Sequence, residues 1–199
     1  PKNGNYYLTK EELKLYSKYD FIIIADMSLP EENIQKLRNT AKVIIFDHHL
    51  GKLIREVNHH NPIIKGEDPD KYPSASWIVN DYLGNEDNIF ALLGIIGDHE
   101  QKIKENSEFY EKINKFCKNH NITFEDMLKM AYLLDTNYKI GDKDAVEEAP
   151  KILFNVNSPK DILENTKWNE NYKKINNEIE SILVEPNEDI NGLILRKIN

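Results

Sequence analysis

Cysteine is nearly missing from this chain: Cys117 is the only one in 199 residues. With no disulfide available within the chain, a reducing, cytoplasmic setting is the expectation, and Cys117 reads as a small buried apolar residue on a helix. The sequence also lacks any apolar run near the ~18 residues of a membrane span, and its amino end has no signal-peptide pattern, so no membrane partner is expected. Basic residues are in deficit. Lys and Arg number 26 against 34 Asp and Glu, for a formal charge of -8. That balance excludes a surface coated with positive charge for nucleic acid, while leaving room for a local basic groove. Internal repeats, low-complexity segments and long polar linkers are absent as well, which limits the chain to one domain, or one domain and part of a second.

What is present centres on residues 42–51. Val43 to Phe46 is a continuous β-branched and aromatic run, the pattern of a strand buried on both faces. It ends abruptly in Asp47, His48 and His49. In an open α/β sheet, the carboxyl ends of the strands are where ligands and catalytic groups collect. Two imidazoles beside a carboxylate supply borderline nitrogen and hard oxygen donors, a mixture suited to Mn²⁺, Fe²⁺, Co²⁺ or Zn²⁺.

The flanking segments fit the same architecture. Thr9 and Glu12 have capping-box spacing for a helix over about residues 10–18. Phe21 to Ala25 reads as a second buried strand, closing in Asp26. Pro30 opens a helix to about Arg38 with Ile34 and Leu37 facing inward. Strand, helix and strand make a βαβ unit with parallel neighbours, which places Asp26 and Asp47 at one sheet edge. Pro62 suits the end of a strand after His59 and His60. Ser74 is a helix N-cap, and a helix beginning at Asn85 carries a strongly apolar face, Ile89 to Ile96, that ends near Gly97, Asp98 and His99. From Glu105 onward the chain is helical and charged. Thr123 and Asp126 cap one helix, Pro150 suggests two short pieces between Ala145 and Asn155, and Ser158-Pro159 starts a long stretch broken near Thr166. Asn191-Gly192 signals a turn before a strand at Leu193 to Leu195. The predicted fold is three-layer α/β/α with a mainly parallel sheet over residues 1–104, a helical extension over 105–185, and the start of another domain over 186–199.

Asp26, the Asp47-His48-His49 triplet and Gly97-Asp98 each follow an apolar segment, and all are metal-ligand types. Their order, with Asn61-Pro62 and the Ser74 to Ser76 helix start between them, resembles motifs two, three and four of the DHH phosphoesterase superfamily, with archaeal RecJ-like proteins the nearest in style. The resemblance covers roughly residues 20–100. It implies a phosphodiesterase that uses a pair of divalent cations, usually Mn²⁺ with Mg²⁺ or Co²⁺ as substitutes, to activate water against a phosphate ester. Carried over residue by residue, Asp26 bridges the cations and His48 and Asp98 ligate one of them. His49 faces the scissile phosphate, and Asp47 supports the site as a ligand or hydrogen-bond acceptor. His99, beside Asp98, is a candidate substrate contact. The implied partners are single-stranded DNA or RNA, or short oligonucleotides, together with replication or repair proteins.

The family's first motif, an Asp-x-Asp-Gly type sequence supplying the second cation, has no counterpart before Asp26. With Pro1 rather than Met at the start, the expectation is an internal fragment. Rival readings are a small-substrate phosphatase acting on oligoribonucleotides, cyclic dinucleotides or pyrophosphate, a non-catalytic scaffold of the replication complex, and an unrelated doubly wound protein. His59 and His60 fall outside the family's metal motifs and read as exposed or structural. Trp77 and Trp168 are the aromatics that could stack on bases, with a place in the core as the competing reading.

Overall fold

The computed structural model describes residues 6–84, 88–184, 188–190 and 193–195. It is an α/β protein with a helical extension, and it divides into two compact units, Pro1–Phe116 and Cys117–Asn199.

In the first unit, β1 (Phe21–Ala25), β2 (Lys42–Phe46) and β3 (Asn58–His60) form a parallel sheet in the order β1-β2-β3. Central β2 alternates by strand geometry, sending successive side chains to opposite faces. Val43 and Ile45 join Ile24, Ile34 and Leu37 in a core beneath α1 (Lys10–Tyr16) and α2 (Glu31–Arg38). Ile44 and Phe46 pack on the other face with Ile78 of α3 (Ala75–Tyr82). All four of these β2 side chains are buried, each contributing on the order of 1.5–3 kcal/mol. Helices therefore cover both faces of β2, and the expected three layers are present.

The expectation that β1 is a buried strand is corrected. Phe21 and Ile23 are 48% and 58% exposed, and Ile24 is the one residue of the strand that is fully buried. The physical reason is position: among the described residues β1 pairs on one side only, and α1 and α2 cover just the face that carries Ile22 and Ile24. A run of β-branched residues has the same appearance whether one face is covered or two.

Thr9 caps α1 and completes its capping box with Glu12. The segment between α3 and α4 includes undescribed residues, among them the expected helix start at Asn85. The described helix α4 (Ile89–His99) is capped by the Asn88 side chain on the Ala91 N–H. Leu92, Ile95 and Ile96 of α4 are completely buried. Against α3 the approach is close: a Cβ on Gly94 would lie 2.0 Å from Ser76 Oγ. Trp77 is half-buried and packs edge-on against Phe109 of α5 (Ser107–His120).

In the second unit α6 (Phe124–Lys139) packs against α7 (Lys143–Phe154), α8 (Pro159–Leu163) and α9 (Thr166–Val184). Trp168 is wholly buried here, so base stacking by it is corrected to a core role. The two-piece expectation around Pro150 is also corrected, since α7 runs through it as one helix. Proline costs the helix one hydrogen bond to the residue four positions earlier, Val146. Both Pro150 and Val146 are exposed, so water can satisfy that carbonyl. Cys117 is buried as expected, and burial pushes its thiol up to about 11. The expected strand at 193–195 pairs antiparallel with Glu188–Ile190 as β5 with β4, while the turn at Asn191-Gly192 lies outside the described residues.

A polar knot ties α6, α7 and α9. The Asn171 side-chain amide donates to Asn137 Oδ1 at 2.9 Å and to Asp142 Oδ2 at 3.0 Å. Asp142 also caps α7 through the Ala145 N–H and pairs with Lys167 at 2.7 Å. Lys167 foremost, then Asn171, hold the Asp142 carboxyl well below the usual carboxylate range. A depressed carboxylate adds stability above its unfolded pKa, and that stability is lost as pH falls toward the folded value. Asp142→Asn is therefore expected to lower the thermal unfolding midpoint at about pH 7, with the difference from the parent shrinking as pH falls below about 4. Thermal melts of both proteins across that range check the sign.

Candidate metal centre

Parallel pairing brings the ends of β1 and β2 together, with Ala25 opposite Phe46. Asp26 follows β1 and still donates its backbone N–H to the Phe46 carbonyl at 2.9 Å. Its φ is 55°, the left-handed region that Asp tolerates better than most residues but still at a cost. Asp47 follows β2 in the same way, donating to the His60 carbonyl at 3.1 Å. The buried face of α4 fixes the helix end that carries Asp98.

The polar groups meet at this edge. His48 Nε2 lies 3.3 Å from Asp26 Oδ1 and 3.6 Å from Asp98 Oδ2. His49 Nδ1 lies 4.0 Å from Asp26 Oδ1, and donor atoms of Asp26, His48 and His49 all fall within 4.8 Å of one another. Adjacent ligands on a cation with bonds of about 2.0–2.2 Å sit roughly 3.0–3.5 Å apart. His48 is thus at ligand spacing from Asp26 and nearly so from Asp98, while the group whose donor atoms all lie mutually close is Asp26, His48 and His49, without Asp98.

Asp47 has a different part. It is 2% exposed, and both oxygens are engaged: Oδ2 accepts from the Ser28 hydroxyl at 3.0 Å and Oδ1 pairs with His49 Nδ1 at 2.7 Å. A carboxylate accepts here, so Nδ1 carries the proton and His49 presents Nε2 outward. The buried Asn61 side chain, 1% exposed, donates to the His49 carbonyl at 2.9 Å and fixes the same turn. Sequence reasoning gave Ser28, Asn61 and Gly94 no such positioning roles. Asn61 directly before Pro62 was the available signal, whereas Ser28 and Gly94 carry none without the fold. Asp47→Asn is expected to leave the fold intact and to reduce Mn²⁺ or phosphate affinity by about 10–100-fold, the usual range for a partner that orients a site histidine. Calorimetric titration checks it, and unchanged affinity for both would reduce Asp47 to a packing role.

The electrostatics are those of crowded anions sharing an imidazole. Hydrogen bonding with His48 holds the Asp26 carboxyl below its ordinary value, against the effect of burial. The same contact with Asp26 raises His48, with Asp98 and Asp47 adding to it against burial. Burial, and then the charge of Asp26, push Asp98 up. A bound divalent cation would relieve this repulsion and replace the proton that His48 tends to keep.

His99 follows Asp98 and lies near enough for its charge to act on that carboxyl. Its Nε2 bonds the Pro73 carbonyl at 2.8 Å, tying the end of α4 to the segment before α3. His59 and His60 are partly buried. His59 Nδ1 accepts from the Ile54 N–H at 3.2 Å, and the His60 ring stacks on Phe46 with centroids 5.0 Å apart. Burial lowers the pKa of both, which favours neutral rings.

Fold and cluster together define an α/β protein with an Asp/His cluster that could hold a metal ion at the carboxyl ends of β1 and β2. No protein-family model matches the chain, and no curated protein matches it. Among the described residues, no helix is long and apolar enough to cross a membrane.

Proposed function

We propose that this chain carries the metal-binding part of a divalent-cation-dependent phosphodiesterase of the DHH type, acting on single-stranded DNA or RNA in the manner of RecJ-like exonucleases. The observation that carries the reading is the approach of Asp26 and Asp98 to His48, with His49 held beside them by buried Asp47. Asp26, His48 and Asp98 would hold the cation. When bound, it would supply Lewis-acid polarisation of a phosphoryl oxygen and neutralise developing charge. His49, fixed through Nδ1, offers Nε2 to the phosphate: neutral, it accepts a proton, and protonated, it donates a hydrogen bond to a phosphate oxygen. Asp47 orients the ring through Nδ1, and Ser28 and Asn61 hold the turn on which both sit.

Incubating the chain and Mn²⁺ with short single-stranded DNA, short RNA, a cyclic dinucleotide and pyrophosphate tests the reading. Slow Mn²⁺-dependent cleavage of the phosphodiesters, abolished in Asp26→Ala, is the expected result. Cleavage that survives Asp26→Ala would contradict it. A second reading is a non-catalytic scaffold, because the motif that the resemblance would assign to a second cation has no counterpart in the sequence before Asp26. Mn²⁺ binding with no cleavage of any of the four substrates would favour the scaffold.

A further inference from the structure

Beside the cluster, on the α2 side of the sheet, a cavity of about 200 Å³ opens under the loop that follows His49. Its apolar lining includes Leu29, Ile34, Ile45, Ile54 and Ile64. Ser28, Glu31, Asp47, His59 and Asn61 line it as well, together with His49 and Lys52. Leu50, 83% exposed, stands at the same mouth and adds uncovered apolar surface. The lining therefore combines a cluster of aliphatic side chains with a small number of polar groups. His49 belongs to both places, since it lines the cavity and lies within the donor cluster.

We infer that this cavity is a subsite for the nucleobase attached to the phosphate that the cluster binds. The inference rests on the phosphoesterase reading above and names the part of the substrate which that reading leaves open. Pockets for drug-sized ligands run to roughly 300–1,000 Å³, so a space of this size takes a single ring system. A planar, weakly hydrated heterocycle with hydrogen-bonding edges suits an isoleucine-rich lining that also carries a few polar side chains. The anionic end of the same molecule then lies toward Lys52 and His49. A largely apolar pocket beside the donor cluster selects an organic phosphate over inorganic phosphate.

The test is calorimetric binding of 5′-AMP, ribose 5-phosphate and inorganic phosphate to the Mn²⁺-loaded chain, with isoleucine methyl spectra recorded alongside. 5′-AMP is expected to bind at least about tenfold tighter than the other two, and to shift isoleucine methyl signals that the other two leave in place. Ile64→Phe, which fills part of the cavity, is expected to bring 5′-AMP down to the affinity of ribose 5-phosphate while inorganic phosphate is unaffected. Equal affinity of 5′-AMP and ribose 5-phosphate in the parent protein, or 5′-AMP binding without any isoleucine methyl shift, would overturn the subsite and leave the metal centre standing. Failure of all three to bind would overturn the phosphoesterase reading and the subsite with it. The parent-protein comparison and the methyl spectra decide the matter even where Ile64→Phe does not fold.

Discussion

Asp26→Ala is expected to weaken Mn²⁺ binding beyond the roughly 10–100-fold that removal of an outer partner costs, because Asp26 is the carboxylate nearest to His48. The fold should survive. The Asp26 side chain is about half exposed, and its backbone bond to Phe46 does not depend on the carboxylate. The backbone at Asp26 makes a sharper version of the test. Holding a non-glycine residue in the left-handed region costs about 1–2 kcal/mol, and such strain persists where the surroundings require that side chain. Asp26→Gly removes the ligand and the strain together. It is expected to lose Mn²⁺ while raising the thermal midpoint above that of Asp26→Ala. A lower midpoint for the glycine variant would show that the backbone at Asp26 is not strained.

Gly94→Ala is expected to destabilise the first unit by roughly 3 kcal/mol, at the upper end of ordinary overpacking costs. The added Cβ would meet Ser76 Oγ at 2.0 Å and Ser76 Cβ at 2.6 Å. Ser76 has little freedom to turn away, because its hydroxyl donates to the Ala91 carbonyl at 3.0 Å and pairs with Ser74 Oγ at 2.7 Å. The remaining relief is separation of α3 from α4, which would move Asp98 away from His48 and weaken Mn²⁺ binding as well. Ser76→Gly in the same chain opens the space, at a cost of about 1 kcal/mol for glycine in a helix, and should restore both properties in part. Denaturant unfolding of the single and double variants checks this, and a neutral Gly94→Ala would mean the helices are not in close contact at that point.

These two residues also mark what could be read from the sequence. The end of β2 was legible because a continuous apolar run followed by Asp47, His48 and His49 has few structural interpretations, and parallel pairing then placed Asp26 at the same edge. Capping boxes at Thr9 and Thr123 were legible for a similar local reason: two side chains satisfy two backbone N–H groups within four residues. Long-range features were not. The exposed face of β1 depends on which helices cover the sheet, and the continuity of α7 through Pro150 depends on water reaching Val146. The pairing of His49 with Asp47 depends on a turn held by Asn61 from β3's end, twelve residues further along the chain. The need for glycine at position 94 lies in the approach of α3, which no local pattern encodes.

The central claim is that Asp26, His48 and Asp98 converge to hold a divalent cation, with His49 beside it. A crystal of the chain soaked in Mn²⁺, with anomalous scattering measured at the manganese edge, tests it most directly. The account predicts a peak in contact with the Asp26 carboxylate, His48 Nε2 and the Asp98 carboxylate, with His49 Nδ1 still bonded to Asp47. A peak at other side chains, or none at this edge of the sheet with Mn²⁺ in excess, would contradict it.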